Sequence, residues 1–320
     1  MAGGTPISSN TNSNFSLDKN YTPAITMISG LFFMIGFITV LNDVLIPTMK
    51  DIFKFGDNET WKLMLIQFCF FFAYGIMSIP GGLIIKKIGY KKGTILSVTL
   101  VVIGLLLFYP ASEYAMYGLF LTALFVIGLG FAIMQVAINP YLVALGTPET
   151  GASRLNLGGA LNSTATFIGP LLGAWMLLNE CSEGTERLGL LQNSYLVFAG
   201  LFVLVAIVLF VMKLPKISIE NEEGDELKES IFSFSHLVSG AGAIFFYVGA
   251  EVVIGSLLVV YLRSDIMGAL PEKLATTFVA YYWGGAMIGR FAGSAITRKI
   301  QPNKALAFVS AVAFILIGLS

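Results

Sequence analysis

The chain has 320 residues, of which 56% are hydrophobic and 12% are charged, and its mean hydropathy is +0.81. A soluble domain carries roughly twice that share of charged residues, so the composition excludes a water-facing globular fold. Nineteen basic residues balance nineteen acidic ones, and no basic run is long enough to follow a nucleic-acid backbone. The composition therefore predicts a protein of the lipid bilayer and argues against a soluble enzyme or a nucleic-acid partner.

The first 22 residues are rich in Ser, Asn, Thr and Gly and lack the basic start and apolar core of a cleaved signal, which predicts a disordered cytoplasmic tail. The rest of the chain breaks into nine apolar runs, most of them near the roughly 20 residues that a membrane-crossing helix needs. The predicted spans are 24–46, 62–85, 94–110, 115–145, 153–178, 189–212, 237–262, 274–297 and 304–320. An all-α polytopic membrane protein is expected.

Charge placement orients the spans. The stretch 86–92 carries four lysines and no acid, which predicts that it and the N-terminus are cytoplasmic. A hydrophilic insert at 214–235 is rich in glutamate and reads as an acidic cytoplasmic linker. This division predicts an N-terminal six-helix bundle at 23–213 and a partial, three-helix bundle at 236–320.

A weak internal repeat supports two related halves. Residues 81–92 (GGLIIKKIGYKK) align with residues 293–304 (GSAITRKIQPNK), with glycine, isoleucine and lysine at matching positions. Each segment follows the second span of its half on the predicted cytoplasmic side. Two parallel halves joined by a cytoplasmic linker are the plan of secondary transporters that bind substrate between the halves.

This plan and the basic segment with its glycine start resemble the major facilitator superfamily, and five strings resemble its fucose, galactose and hexuronate symporter family. The strings are Leu41–Leu45 (LNDVL), 135–140 (QVAINP), 154–157 (RLNL) followed by Asn162 and Ser163, 247–251 (YVGAE) and 289–291 (GRF). They occur in order at matching spans, and the likeness covers nearly the whole chain after residue 22. The resemblance implies a twelve-span fold, so the chain is expected to be C-terminally incomplete and not to transport as it stands.

Two departures refine the resemblance. The superfamily usually has an aspartate before the basic residues of the second loop, where this chain has Ile85. Fucose permeases have a glutamate at the position of Gln135, and glutamine does not exchange a proton. Together with the Gly-Ala-Glu string that ends at Glu251, the glutamine resembles the glucose and galactose branch.

Two carboxylates, Asp43 and Glu251, fall well inside apolar runs. A charge there is costly and usually marks a pathway or a relay, so Asp43 is the favoured proton carrier and Glu251 the second candidate for cation coupling. The alternatives are that Asp43 is a helix-end acid reached by water and that Glu251 is a buried acid used in packing.

Amides in the spans are candidate ligands for a polyhydroxylated substrate, because a primary amide both donates and accepts hydrogen bonds. Gln135 and Asn139 are four residues apart and share a helix face, and Asn162 lies near the middle of its span. Asn42 and Gln67 are further candidates. The alternative is that these amides only join helices.

Aromatic residues and glycines complete the pattern. Tyr281 and Trp283 could stack on the apolar face of a sugar ring, or simply pack. Glycines recur every four residues in two predicted spans, which predicts close helix packing. The glycine series are Gly169 with Gly173, and Gly285 with Gly289 and Gly293. The basic residues Arg154, Arg290, Lys87 and Lys92 are assigned to gates or scaffolding, with Arg290 expected to contact the linker side or the other half.

Cysteine and histidine usage argues against a metal or redox centre. Cys69 lies in an apolar run, Cys181 lies in a polar loop, and His236 has no partner histidine. No cofactor or metal is expected, apart from a co-transported H⁺ or Na⁺.

The sequence thus predicts a non-enzymatic secondary transporter that imports a glucose- or galactose-like hexose by proton symport through alternating access. It would act as a monomer in the inner membrane, with monosaccharide and lipid as its partners. An L-fucose permease, a sodium-coupled hexose symporter, an exporter of apolar drugs and a non-transporting membrane receptor stay open as alternatives.

Overall fold

The structure is a computed structural model that describes residues 21–177, 185–215, 233–262, 267 and 270–319. Its helices are α1 (Thr22–Phe53), α2 (Thr60–Glu113), α3 (Tyr117–Ala144), α4 (Gly151–Leu177), α5 (Thr185–Val211), α6 (Ser235–Leu262), α7 (Glu272–Ile296) and α8 (Pro302–Leu319). Every predicted apolar run overlaps one of these helices along most of its length, so the all-α polytopic prediction is confirmed. The predicted tail and nearly all of the predicted linker lie outside the described residues and stay predictions.

Helix α2 contains two of the predicted spans, 62–85 and 94–110, in one run of 54 residues. Its backbone is non-helical at Gly89, where φ is 80° and ψ is 166°. Glycine adopts a positive φ without the Cβ clash that other residues suffer, so the helical backbone between the two spans is interrupted at a single residue. The stretch 86–92, expected to be a loop, is therefore helical on both sides of one kink.

Five of the described helices contain segments that are long and apolar enough to cross a membrane, namely those in α1, α2, α3, α5 and α8. The segment in α2 has 53 residues, which exceeds twice the roughly 20 that one crossing requires. Large apolar side chains stay exposed on these helices, for example Ile79 at 78% and Phe314 at 81%. Such a surface suits contact with lipid acyl chains, where helices satisfy their own backbone groups.

The chain forms two compact units. The first comprises residues 1–29, 46–155 and 181–219, and the second comprises residues 30–45, 156–180 and 220–320. This grouping does not follow chain order, so the predicted bundles at 23–213 and 236–320 stay a prediction.

Aromatic rings fill the interior of the first unit. Phe108 of α2 stacks on Tyr195 of α5 with ring centroids 3.7 Å apart, and Phe70 meets Phe131 edge to face at 6.0 Å. All four rings are at most 2% exposed. These contacts join α2 to α3 and to α5, and they fix the position of the α3 face that carries Gln135.

Helices α2 and α3 approach each other closely at Gly128, which predicts an effect on stability. A Cβ atom there would lie 2.5 Å from the carbonyl oxygen of Phe70 and 2.9 Å from Cβ of Ala73. Because backbone cannot retreat like a flexible side chain, we expect Gly128→Ala to destabilise the protein by about 1–3 kcal/mol. Gly200→Ala in α5, where a Cβ meets no atom within 4 Å, is the matched control. Thermal unfolding in detergent measures both, and equal midpoints would contradict the prediction.

The predicted glycine faces are only partly used for packing. A Cβ on Gly169 would lie 3.1 Å from the side chain of Val40 in α1, and one on Gly293 would lie 3.7 Å from the Asn156 side chain. Among the described residues, a Cβ on Gly285 or Gly289 would meet no atom within 4 Å, so within this part of the chain the prediction is wrong for these two. Spacing alone does not reveal which helix face a neighbour covers.

Candidate substrate and coupling sites

A cavity of about 310 Å³ lies between α2 and α3 in the first unit. Small-molecule sites have volumes of roughly 300–1,000 Å³, so this cavity is large enough to hold part or all of a small ligand. Its lining residues are Tyr74 and Ser78 from α2 and Ala132, Gln135, Val136, Asn139 and Pro140 from α3. The lining combines apolar walls with a few polar groups, as small-molecule sites commonly do.

Two of the predicted sugar ligands, Gln135 and Asn139, face this cavity together. Their spacing of four residues places them one turn apart on α3, as the sequence predicted. Both are half-buried, and within the described part of the chain neither amide has a hydrogen-bond partner. Half-buried amides without a protein partner are available to a ligand that both donates and accepts hydrogen bonds.

Pro140 leaves a backbone carbonyl oxygen of α3 free to accept a hydrogen bond in the same cavity. Proline has no N–H, so the carbonyl oxygen of Val136, four residues earlier, does not receive the usual helical hydrogen bond from residue 140. Both residues line the cavity. A ligand hydroxyl can donate to such a carbonyl, and the sequence pattern around Asn139-Pro140 already contained this signal.

Two polar residues of the cavity, Tyr74 and Ser78, were not predicted. The Ser78 hydroxyl donates to the carbonyl oxygen of Gly75 at 2.9 Å, and the phenol ring of Tyr74 packs near Phe70. Their spacing of four residues within an apolar run is the signal that sequence reasoning could have used. They give the α2 side of the cavity its polar groups.

Asn162, the third main candidate ligand, lies in the second unit and is used between helices. Its Nδ2 donates to the carbonyl oxygen of Phe32 in α1 at 3.0 Å. A Cβ on Gly36 would lie 2.4 Å from the Asn162 carbonyl oxygen, so α1 and α4 touch here by their backbones. This contact corresponds to the packing alternative for Asn162, and the amide does not line the cavity.

The remaining candidates on α1 and α2 lie elsewhere. Asn42 is 2% exposed in α1, and Gln67 lies in the first half of α2. Neither lines the cavity, and both have interaction partners within the protein. Asp43 lies in α1, but its side chain falls outside the described residues.

The second predicted coupling residue, Glu251, forms an ion pair with Arg290. Nη2 of Arg290 lies 3.1 Å from Oε1 of Glu251, and the two side chains are 29% and 15% exposed. Nη1 of Arg290 donates to Oγ of Ser163 at 2.5 Å and to the carbonyl oxygen of Gly159 at 3.4 Å. The guanidinium therefore joins α6, α7 and α4, all within the second unit.

The predicted aromatic pair does not form a stacking surface at the cavity. Tyr281 is 69% exposed and packs edge-on against Phe278, whereas Trp283 packs edge-on against Tyr282. Neither Tyr281 nor Trp283 lines the cavity. Tyr282, which lies between them in the sequence, contacts a predicted coupling residue. Its hydroxyl donates to the backbone carbonyl oxygen of Glu251 at 3.2 Å.

Arg154 binds the end of the preceding helix. Its guanidinium donates to the carbonyl oxygens of Leu142 and Thr147, each at 3.0 Å, and also to the Val143 carbonyl. Leu142 and Val143 belong to the last turn of α3, where a cation satisfies carbonyls that have no helical donor and complements the negative helix end. This geometry fits the scaffold role expected for Arg154.

In the basic segment of α2, residues 86–92, the lysine that contacts α5 is not one of the two that were predicted. Nζ of Lys91 donates to the carbonyl oxygens of Phe210 at 3.2 Å and Met212 at 2.7 Å, which closes the end of α5. Lys87 and Lys92, the predicted residues, are exposed. Ile85 is 3% exposed and packs with Ile133, so the usual aspartate position is apolar here.

Comparison with known proteins agrees with this architecture. The family model described as Major Facilitator Superfamily matches residues 27–320. The chain belongs to the Major Facilitator Superfamily. It is a multi-pass membrane transporter rather than an enzyme, and its helical fold is the fold of this superfamily.

Superfamily members of several organisms are similar to the chain. The glucose/galactose transporter of Brucella abortus biovar 1 (strain 9-941) is 45% identical, with 99% of this chain and 77% of that protein covered. The putative glucose/galactose transporter of Helicobacter pylori (strain J99) is 42% identical over 93% and 74% of the two chains. The L-fucose-proton symporter of Escherichia coli (strain K12) is 30% identical over 93% and 72%.

Solved structures show the same superfamily fold. The crystal structure of the transporter FucP in the outward conformation has a TM-score of 0.77 and 27% sequence identity, covering 93% of this chain and 77% of that chain. A second structure, of the Escherichia coli fucose:proton symporter FucP, has the same TM-score and identity. The helix order inferred from apolar runs thus corresponds to a known transporter fold.

Proposed function

We propose that the protein is a secondary active transporter that imports a hexose of the glucose or galactose type by proton symport through alternating access. The observation that carries the substrate class is a pair of amides, Gln135 and Asn139, on one wall of a mostly apolar cavity, neither of which has a hydrogen-bond partner among the described residues. Relatives named glucose/galactose transporter, at 45% and 42% identity, support the same substrate class.

A sugar suits this cavity chemically. Each hydroxyl of a hexose is a donor and an acceptor, and an amide answers with both, while apolar side chains cover the C–H faces of the ring. Gln135, Asn139, Ser78 and the freed carbonyl of Val136 supply the polar contacts in this proposal. In this proposal three other predicted amides bond within the protein and do not contact the sugar, namely Asn162, Asn42 and Gln67. Tyr281 and Trp283 do not contact the sugar either.

Proton coupling is assigned to Asp43. It is a carboxylate inside an apolar span, and desolvation of such a group makes gain and loss of a proton at the two membrane faces possible. Glu251 is paired with Arg290, and this contact favours a structural role at that position over a carrier role. Gln135 does not titrate, so sodium is the alternative coupling ion.

The proposed setting is the inner membrane, with the N-terminus in the cytoplasm. The basic stretch 86–92 supports that orientation, because cytoplasmic segments next to spans are enriched in lysine and arginine. The transporter is proposed to act as a monomer.

The test is radiolabelled galactose uptake into proteoliposomes containing the purified protein, with an imposed pH gradient and a panel of competing sugars. Uphill accumulation driven by the pH gradient, with competition by glucose, is the expected result. In a parallel experiment, potassium replaces sodium at fixed pH. Loss of accumulation on this replacement would show that sodium, and not the proton, is the coupling ion. If L-fucose were the only sugar that competes, the assigned substrate would be L-fucose and not glucose or galactose.

A second assay separates transport from other classes. Tryptophan fluorescence quenching by a sugar panel and by a panel of apolar drugs compares the two kinds of ligand on the same protein. Sugar-specific quenching is expected. Saturable sugar binding without uptake would instead favour a receptor, and quenching by drugs only would favour an exporter.

A further inference from the structure

Tyr74 is the aromatic residue that lines the cavity between α2 and α3. Its ring packs on Phe70, one turn earlier on α2, with the ring centroids 5.7 Å apart, and Phe70 meets Phe131 of α3 edge to face at 6.0 Å. Phe70 and Phe131 are at most 1% exposed. Two buried rings therefore support the Tyr74 ring, which limits the directions in which its hydroxyl can point.

The Tyr74 hydroxyl has no hydrogen-bond partner in the part of the chain that the structure describes. Two other tyrosines use their hydroxyls within the protein. Tyr141 donates to the carbonyl oxygen of Pro215 at 2.8 Å, and Tyr282 donates to that of Glu251 at 3.2 Å. Tyr74 is half-buried at the cavity wall, so its hydroxyl is available to a ligand in the cavity.

Close contacts before and after Tyr74 hold α2 against α3. Before it, a Cβ on Gly128 of α3 would lie 2.5 Å from the carbonyl oxygen of Phe70. After it, a Cβ on Gly81 would lie 3.5 Å from Cγ1 and 3.6 Å from Cα of Ile133. Contacts that involve backbone leave little room for the two helices to shift, so the cavity exists before a ligand enters it.

Of the two polar side chains that α2 contributes to the cavity, Tyr74 is the one whose proton is available. The Ser78 hydroxyl already donates to a backbone carbonyl of its own helix at 2.9 Å, so it can only accept a hydrogen bond from a ligand. The free Val136 carbonyl on α3 also only accepts. The Tyr74 hydroxyl both donates and accepts, as the amides of Gln135 and Asn139 do on the other wall.

We propose that Tyr74 is a specificity-determining residue, whose hydroxyl binds one sugar hydroxyl from the α2 side while Gln135 and Asn139 bind others from the α3 side. A site built around a ligand hydroxyl discriminates against an analogue that lacks it, because the protein group is then left without a partner. The supported ring and the fixed contact of α2 with α3 keep Tyr74 from turning to a different hydroxyl. This inference rests on the proposed hexose transport and adds a residue to its binding site.

Binding of radiolabelled galactose to the purified protein in detergent tests the hydroxyl. Tyr74→Phe removes it and keeps the ring, and is expected to weaken binding by roughly three- to tenfold, the effect of losing one neutral hydrogen bond. The thermal unfolding midpoint should not change, whereas a merely structural role would lower it. Unchanged galactose affinity in Tyr74→Phe would overturn the proposal.

Tyr109→Phe is the matched control for Tyr74→Phe. Tyr109 lies on the same helix, is 46% exposed and does not line the cavity. The same chemical change is made there without altering the cavity wall, so galactose affinity should equal that of the unmodified protein. An equal loss of affinity in both variants would show that the effect does not arise at the cavity, and would overturn the proposal.

Monodeoxy derivatives of galactose, each without one hydroxyl, identify the sugar group that Tyr74 binds. The derivative that lacks this hydroxyl should bind Tyr74→Phe as tightly as it binds the unmodified protein, because the bond is already absent. Every other derivative should bind the variant roughly three- to tenfold more weakly. The same loss for all derivatives would show that Tyr74 binds none of these hydroxyls, and would overturn the proposal.

The variants also distinguish failure of this inference from failure of the proposed function. If Tyr74→Phe keeps full affinity and Tyr74→Leu loses it, the ring covers the sugar and the hydroxyl role is overturned. If Tyr74→Phe keeps full affinity while Gln135→Met loses it, the role of Tyr74 is overturned and the proposed hexose function stands. If the unmodified protein binds no sugar of the panel, the proposed function fails, and the role of Tyr74 fails with it.

Discussion

Gln135→Met is expected to weaken hexose binding by about tenfold or more while leaving the fold intact. Methionine has a similar length and fills the same space, but it neither donates nor accepts the hydrogen bonds of an amide, each worth about 0.5–1.5 kcal/mol. The half-buried position at the cavity wall means that water does not fully replace these bonds. Equilibrium binding of radiolabelled galactose to purified protein measures the loss.

The same chemical change at Gln192 is the matched control for Gln135→Met. Gln192 lies on α5, where its Nε2 contacts the Tyr109 carbonyl oxygen at 3.4 Å, and it does not line the cavity. Gln192→Met should therefore leave the affinity unchanged. If Gln135→Met binds galactose as well as the unmodified protein does, the cavity between α2 and α3 is not the sugar site. Asn139→Leu then provides an independent check of the second amide.

Asp43→Asn is expected to abolish uphill accumulation of hexose driven by a pH gradient. Asparagine is nearly isosteric with aspartate but does not titrate between pH 5 and 8, so transport can no longer draw on the proton gradient. Exchange of internal for external sugar needs no net proton movement and should continue. Uptake and counterflow in proteoliposomes containing the purified protein measure the two activities side by side.

Glu149→Gln is the control for the removal of a carboxylate. Glu149 is exposed before α4, and hydrogen bonds from its own backbone N–H and from Thr147 hold its pKa below the usual range. It is therefore ionised throughout the assay, and its loss should not affect accumulation. Undiminished pH-driven uptake by Asp43→Asn would remove the carrier role from Asp43. Because uptake would still be driven by the pH gradient, the role would then pass to another titratable group, with Glu251 as the second candidate.

Long apolar runs made the helices predictable from sequence. In a bilayer, a backbone segment without water must bond to itself, so a run of about 20 apolar residues leaves little choice besides a helix. The pair Gln135 and Asn139 was predictable for a similar reason, since residues four apart on a helix share a face whatever their neighbours are.

Contacts between helices were not predictable in this way. Lys91, rather than Lys87 or Lys92, closes the end of α5, because the kink at Gly89 determines which lysine faces that helix. Arg290 lies well inside α7, six residues before its end, where it contacts α4 and α6. Sequence spacing gives the face of one helix, but it does not say which neighbour packs on that face.

Two consecutive residues of α4 have a joint mechanical consequence. Asn162 donates to the Phe32 carbonyl of α1, and Ser163 accepts from Arg290 of α7. A shift of α4 by a single residue, about 1.5 Å along its axis, would strain both bonds at once. Helix α4 thus links α1, which carries Asp43, to α7, which carries Arg290. A displacement of α4 along its axis would act on both helices, although they bind different residues of α4.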